Sequence, residues 1–263
     1  MDNAYVTFIK TDDYLPGVLA LKKSLDPFNN GNDFVVITTK KSLSNQATKV
    51  LKSINCKIKI VDEVKNPLID HLNKDTFNHY TKLRVFEMTE YRKLIFLDAD
   101  LIICSNIESL FEAPHMSAVA AGGLISENNW IDLNGGFLVV EPSEQLFNEM
   151  HRVSNYFPSK DGTDQGFLHS FYKDWPNQKY LHLDHKFNVP VQYLDIYCKN
   201  FSFRFSYTNE ILDTNIAVIH YWGPIKPWTF YHKSSIFEDS PKVKQAINLW
   251  WDFYEAALKD IFI

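Results

Sequence analysis

The side chains best able to do chemistry begin with Leu94-Ile95-Phe96-Leu97-Asp98-Ala99-Asp100. A strand-like apolar run stops at two carboxylates separated by one small residue. Ligands of open α/β sheets bind beyond the carboxyl ends of strands. In an extended chain residues i and i+2 point the same way. Asp98 and Asp100 are therefore expected to converge on one hard cation, Mg²⁺ or Mn²⁺, beside phosphate oxygens. The tripeptide alone also reads as a strand-ending turn with two solvated acids. The apolar run before it favours a site.

A second set is His220-Tyr221-Trp222-Gly223-Pro224-Ile225-Lys226-Pro227-Trp228, after an apolar run at Ala217 to Ile219. His220 is a candidate third metal ligand, and an imidazole favours Mn²⁺ over Mg²⁺. Gly223 allows close backbone approach to a phosphate. Lys226 offers it a point charge, and Pro224 and Pro227 stiffen the loop. A third set joins Asn134-Gly135-Gly136 to Asp161-Gly162-Thr163-Asp164-Gln165-Gly166. Amides and carboxylates suit hydroxyl groups that both donate and accept. Singly, these residues also read as a strand-end histidine, core tryptophans, a β-turn before a strand, and a helix cap at Asp161 or Thr163. There is no P-loop, zinc-finger spacing or nucleophile elbow.

The elements that must position these groups alternate in the first half. Strands are expected at Ala4 to Ile9, Phe34 to Thr38, Ile58 to Val61 and Leu94 to Leu97. Helices are expected from Pro16, from Ser44 to Leu51, and from Tyr80 to Thr89. This predicts an α/β fold with a mostly parallel sheet covered on both faces. Further on, Ala118 to Ala121, Gly136 to Val140 and Ala217 to Ile219 read as strands. Thr163 to Phe171 and Lys242 to Leu258 read as helices. The reading is one domain over 1–263, with a front half (about 1–120) and a back half (about 121–263) sharing one sheet.

The 263 residues are 45% hydrophobic and 22% charged, enough to bury a large core, and the net charge of −5 gives no basic field for nucleic acid. No apolar run reaches the roughly 20 residues of a membrane span. Met1-Asp2-Asn3-Ala4 lacks the basic start of a signal peptide. Cys56, Cys104 and Cys198 form no C-x-x-C pair, so a reduced, cytoplasmic setting is expected.

In this order the motifs resemble the glycogenin-like members of glycosyltransferase family 8. The likeness runs from Ala4 to Trp228 and includes Tyr5-Val6-Thr7, Thr81-Lys82-Leu83, Ser105-Asn106-Ile107 and the three sets above. It implies a Rossmann-like, GT-A type fold. It also implies a UDP-sugar donor, Mn²⁺ and a retaining transfer of a hexose, glucose before galactose, to a hydroxyl group. By the same resemblance, Thr11 and Tyr14 lie near the uracil. Asp98-Ala99-Asp100 and His220 meet the metal and nucleotide, with Asp98, Asp100 and His220 as ligands. Gly223 and Lys226 hold the diphosphate. Lys82, Asn134, Gly135, Asp161, Asp164 and Gln165 surround the sugar, and Asn188 lies on the acceptor side. Asp164 is the expected nucleophile or electrostatic stabiliser, with Gln165 and Lys82 beside it. Glycogenin-like enzymes use a tyrosine of their own chain or of a dimer partner, so a homodimer and self-transfer to Tyr193 or Tyr197 are implied alternatives to a saccharide, polyol or protein acceptor. The stretch after Asn188 departs from the self-glycosylated segment and leaves the acceptor open. Rival readings are a metal-dependent nucleotidyltransferase or phosphatase, which would need more acids at strand ends, and an inactive glycan- or nucleotide-binding module.

Overall fold

The computed structural model describes residues 2–68, 79–121, 131–159, 161–223, 226–229 and 240–262. In chain order the elements are β1 (Asn3–Phe8), α1 (Leu15–Leu25), β2 (Asp33–Thr39), α2 (Asn45–Ser53), β3 (Lys57–Val61), β4 (Lys93–Leu97), β5 (Leu101–Ile103), β6 (Ala118–Ala120) and β7 (Leu133–Val140). Then follow α3 (Glu144–Val153), α4 (Asp164–Phe171), β8 (Val189–Pro190), α5 (Leu194–Phe201), β9 (Phe205–Thr208), β10 (Ile211–Thr214), β11 (Val218–His220) and α6 (Pro241–Phe262).

Six strands form the main sheet in the order β3-β2-β1-β4-β7-β6. The first four are parallel, and β7 and β6 join by antiparallel pairings. Period-two alternation divides its side chains between two cores. Ala4, Val6, Val35, Ile37, Leu94 and Phe96 face one, and Tyr5, Phe34, Val36, Ile95 and Leu97 face the other. The sheet's order reverses between β1 and β4, which makes their carboxyl ends the switch point where such sheets bind ligands. Pro16 opens the first turn of α1, and the Ser44 side chain caps α2 by accepting from Ala47 N–H.

One expectation is corrected. The late strand does not join the main sheet. Instead β11 lies between β5 and β8 in a separate three-stranded sheet, while β9 and β10 form a hairpin. The helix expected at Tyr80 to Thr89 is present, as a 3₁₀ helix over His79–Glu87. Tyr80, Leu83 and Phe86 are all buried at a spacing of three, and three residues per turn is the period that aligns them. Pro224 and Ile225 lie outside the described residues.

A half-buried histidine before β6 has a pH consequence. Glu141 N–H donates to His115 Nδ1 at 3.0 Å, and His115 Nε2 lies 3.0 Å from the Tyr172 hydroxyl. Burial, helped by Lys93, depresses the imidazole from its ordinary value of 6.5 to about 4. The unfolded chain therefore takes up this proton first as pH falls. The contribution to stability is complete above about pH 6.5 and is lost progressively toward pH 4. Thermal melts across that window should show His115→Gln, which cannot titrate, losing less stability than wild type. Equal slopes would refute the assignment.

Candidate active site and metal centre

β4 delivers Asp98 to the switch point, where its N–H donates to Gly136 O on β7 at 2.8 Å. The chain then turns, with Leu101 N–H donating to Asp98 O at 3.3 Å. β5 starts at once and pairs antiparallel with β11, setting His220 opposite Leu101. Tyr221 N–H donates to Asp100 O at 2.9 Å, closing the join. The imidazole is thus brought beside Asp100, with Nε2 3.3 Å from Oδ1. One ligand atom from each of Asp98, Asp100 and His220 lies within 4.8 Å of the others. The expected three residues meet, but a turn unites the acids instead of an extended strand.

The donor set fits a divalent cation: two carboxylates for a hard ion and an imidazole that suits Mn²⁺ better than Mg²⁺. Asp100 is 6% exposed, His220 4% and Lys226 8%. Lys226 Nζ pairs with Asp100 Oδ2 and donates to Tyr221 O at 3.0 Å. Burial alone would raise the Asp100 pKa, but His220 and Lys226 more than offset it and hold the carboxyl well below its usual range. Lys82, carried on the 3₁₀ segment, bridges Asp98 at 2.8 Å and Asp164 at 3.4 Å. Burial would lower its pKa, yet Asp164 and Asp98 raise it, so the ammonium stays charged.

The residues expected around a sugar gather here too. Asp164 opens α4 and is buried. Gln165 Oε1 accepts from Gly135 N–H at 2.8 Å, and Asn134 Oδ1 accepts from Gly136 N–H at 2.8 Å. Asp161 is largely committed to structure, since one oxygen accepts from Thr163 N–H, Thr163 Oγ1 and Ser159 Oγ, each at 2.9 Å. On the far side of the acids, Tyr14 follows β1, is 39% exposed, and sets its ring edge-on to Trp228 at 5.7 Å. Thr11 is exposed next to it, its hydroxyl donating to Asp13 at 3.3 Å. Gly223 has φ +88°, a conformation that favours glycine.

Gly17 enters the site although sequence reasoning had not placed it there. A Cβ on Gly17 would stand 2.4 Å from Ala99 O, so α1 packs directly on the acidic turn. A glycine inside a helix is itself a signal of close packing. A Cβ on Gly136 would stand 2.6 Å from His220 Cε1 and 2.8 Å from Asp98 Oδ2. Asn188, expected toward an acceptor, is 3% exposed and lies against His220: its Oδ1 is 2.9 Å from His220 Nδ1. The two candidate acceptor tyrosines separate. Tyr197 is 1% exposed, and burial pushes its hydroxyl up to about 12, so it is not available as an acceptor in this structure. Tyr193 is half-buried, with its ring 6.4 Å from that of Trp222.

Residues 5–132 match the family described as Glycosyl transferase family 8. The chain is 30% identical over 266 residues to Glycogenin-1 of Mus musculus, covering 96% of this chain and 75% of that protein. It is 36% identical over 238 residues to Inositol phosphorylceramide glucuronosyltransferase 1 of Arabidopsis thaliana, covering 87% of this chain but 43% of the plant protein. Among solved structures it resembles the galactosyltransferase LgtC in complex with donor and acceptor sugar analogues. That match has a TM-score of 0.61 at 15% identity and covers 96% of this chain and 95% of that one. The glycosyltransferase GlyE of Streptococcus pneumoniae TIGR4 gives 0.60 at 17% identity, covering 98% and 63%. These neighbours share the GT-A fold, seen here as a mixed, mostly parallel six-stranded sheet. Sequence likeness across nearly the whole chain and a site built at the sheet's switch point agree: the chain belongs to glycosyltransferase family 8.

Proposed function

We propose that the chain is a Mn²⁺-dependent, retaining glycosyltransferase that moves a neutral hexose from a UDP-sugar to a hydroxyl acceptor, with glucose the first donor sugar and galactose the second. The observation that carries this reading is the meeting of Asp98, Asp100 and His220 at the switch point, with Tyr14 close enough to feel both acids and Asp164 joined to Asp98 through Lys82. In this reading about 1–120 is the nucleotide- and metal-binding half and about 121–263 the sugar and acceptor half, the latter also lending His220 to the metal and Gly223 and Lys226 to the diphosphate. Among the described residues no helix is long and apolar enough to cross a membrane.

The metal would supply positive charge where the departing diphosphate gathers negative charge. Lys226 adds a fixed cation at the same end of the site. Tyr14 offers an exposed ring for the base to stack on. Asp164 faces the developing positive charge on the sugar. Its ion pair with Lys82 lowers its nucleophilicity, which favours same-face attack over a covalent intermediate. The plant relatives named for glucuronate raise UDP-glucuronate as a donor. Lys82 already pairs with Asp98 and Asp164, and that pairing supports a neutral hexose over a uronate in our reading.

Calorimetry is expected to show UDP binding that requires Mn²⁺ and exceeds GDP binding at least about tenfold, or roughly 1.4 kcal/mol. Equal binding of GDP would overturn the base assignment, and binding unchanged in excess chelator would overturn the metal. With Tyr197 buried, intact mass should stay constant in UDP-glucose and Mn²⁺, while UDP release should rise with an added saccharide or polyol. A hexose increment lost in Tyr193→Phe would instead assign self-transfer.

A further inference from the structure

The metal histidine has a partner whose role nothing so far explains. Asn188 precedes β8, which pairs in parallel with β11, so the two strands hold Asn188 and His220 side by side. Asn188 Oδ1 lies 2.9 Å from His220 Nδ1, on the opposite side of the ring from Asp100. A carbonyl oxygen can only accept, so Nδ1 must carry the proton, which leaves Nε2, 3.3 Å from Asp100 Oδ1, as the nitrogen able to offer a lone pair to a cation held by the acids. With the amide turned over, its N–H would donate to Nδ1, Nε2 would carry the proton, and no lone pair would face the acids. One side-chain amide therefore decides whether His220 can serve as a ligand.

The same orientation has a cost that points to a ligand. Asn188 Nδ2 is buried and has no hydrogen-bond partner among the described residues. An unmade buried donor is destabilising by about 1–3 kcal/mol, more than an under-satisfied carbonyl. The protein alone thus favours the orientation that disables His220. An oxygen acceptor beside Nδ2 reverses that preference.

We infer that Asn188 is a positioning residue that fixes the metal-binding tautomer of His220 through Oδ1, while its Nδ2 is held for an oxygen of the bound nucleotide sugar. The inference rests on the metal reading of Asp98, Asp100 and His220. It couples the two ligands: the donor that satisfies Nδ2 also locks the imidazole for the cation.

The test uses the full chain and two variants. Asn188→Leu removes both groups, and Asn188→Asp keeps an acceptor for Nδ1 but loses the N–H donor. Mn²⁺ affinity is read from the electron paramagnetic resonance signal of free Mn²⁺, with UDP present. The His220 tautomer is read from long-range ¹H–¹⁵N correlations on the metal-free protein, which also show whether each variant is folded. Asn188→Leu should weaken Mn²⁺ about 10–100-fold, the usual effect of removing a metal ligand's outer partner. Asn188→Asp, whose carboxylate can only accept, should show the Nδ1–H tautomer in the metal-free protein where wild type shows Nε2–H, and should hold Mn²⁺ within about threefold of wild type, yet bind UDP-glucose about tenfold more weakly at saturating Mn²⁺. Wild-type Mn²⁺ affinity in Asn188→Leu overturns the positioning role. Undiminished UDP-glucose binding in Asn188→Asp overturns the role of Nδ2. Failure of the wild-type protein to bind Mn²⁺ at all would instead sink the metal reading, and the tautomer measurement keeps the two failures apart.

Discussion

Asp100→Ala is expected to abolish metal-dependent transfer, lowering it by roughly a thousandfold or more. Even an outer partner of a metal ligand contributes about 10–100-fold, and Asp100 is a proposed ligand itself. It also has a structural duty, because Lys226 Nζ rests on its Oδ2 and His220 Nε2 faces its Oδ1. All three side chains are buried. Removing the carboxylate leaves a buried ammonium facing no charge, and breaking a buried pair from one side typically costs about 3–5 kcal/mol. The variant should therefore melt well below wild type as well as lose activity. Adding Lys226→Met separates the two effects: the double variant should regain much of the stability and none of the turnover. Turnover near the wild-type rate in Asp100→Ala, or in the wild type under excess chelator, would falsify the metal assignment.

The acids illustrate how far the sequence alone reaches. Asp98 and Asp100 were legible because an apolar strand ending in two carboxylates is a local pattern. The route by which they converge was not. The turn between them and the three-residue strand that follows exist because Leu101 to Ile103 pairs with Val218 to His220, more than a hundred residues away. No local periodicity announces that pairing. The mostly parallel character of the main sheet followed from alternating strands and helices, whereas the 3₁₀ form of the Lys82 segment goes with the simultaneous burial of Tyr80, Leu83 and Phe86. Asn188 was recognisable as a site residue through family resemblance, but its contact with His220 is a product of the β8–β11 pairing. The pairing of Lys226 with Asp100 is likewise tertiary: the spacing from His220 to Lys226 says that a lysine is near, not which carboxylate it meets.

Gly136→Ala should disable the site without changing any functional group. Gly136 lies in β7 and is not among the residues at positive φ, so alanine fits the backbone and the effect must be steric. The added methyl would meet His220 Cε1 at 2.6 Å, Asp98 Oδ2 at 2.8 Å and Asn134 Oδ1 at 3.0 Å. None of these neighbours is free to swing away. The imidazole is held between Asn188 and Asp100, and Asp98 is held by Lys82. Overpacking of this kind costs about 1–3 kcal/mol of stability. The larger consequence is geometric, since a misplacement of about 1 Å in a reacting constellation can cost about a hundredfold in rate. Gly135→Ala is the matched control, because its Cβ would meet nothing closer than Gln165 at 3.4 Å, an ordinary contact. Transfer and Mn²⁺ affinity should fall about a hundredfold in Gly136→Ala and by less than about threefold in Gly135→Ala. Equal Mn²⁺ affinity in the two variants would mean that the cation does not sit between Asp98 and His220.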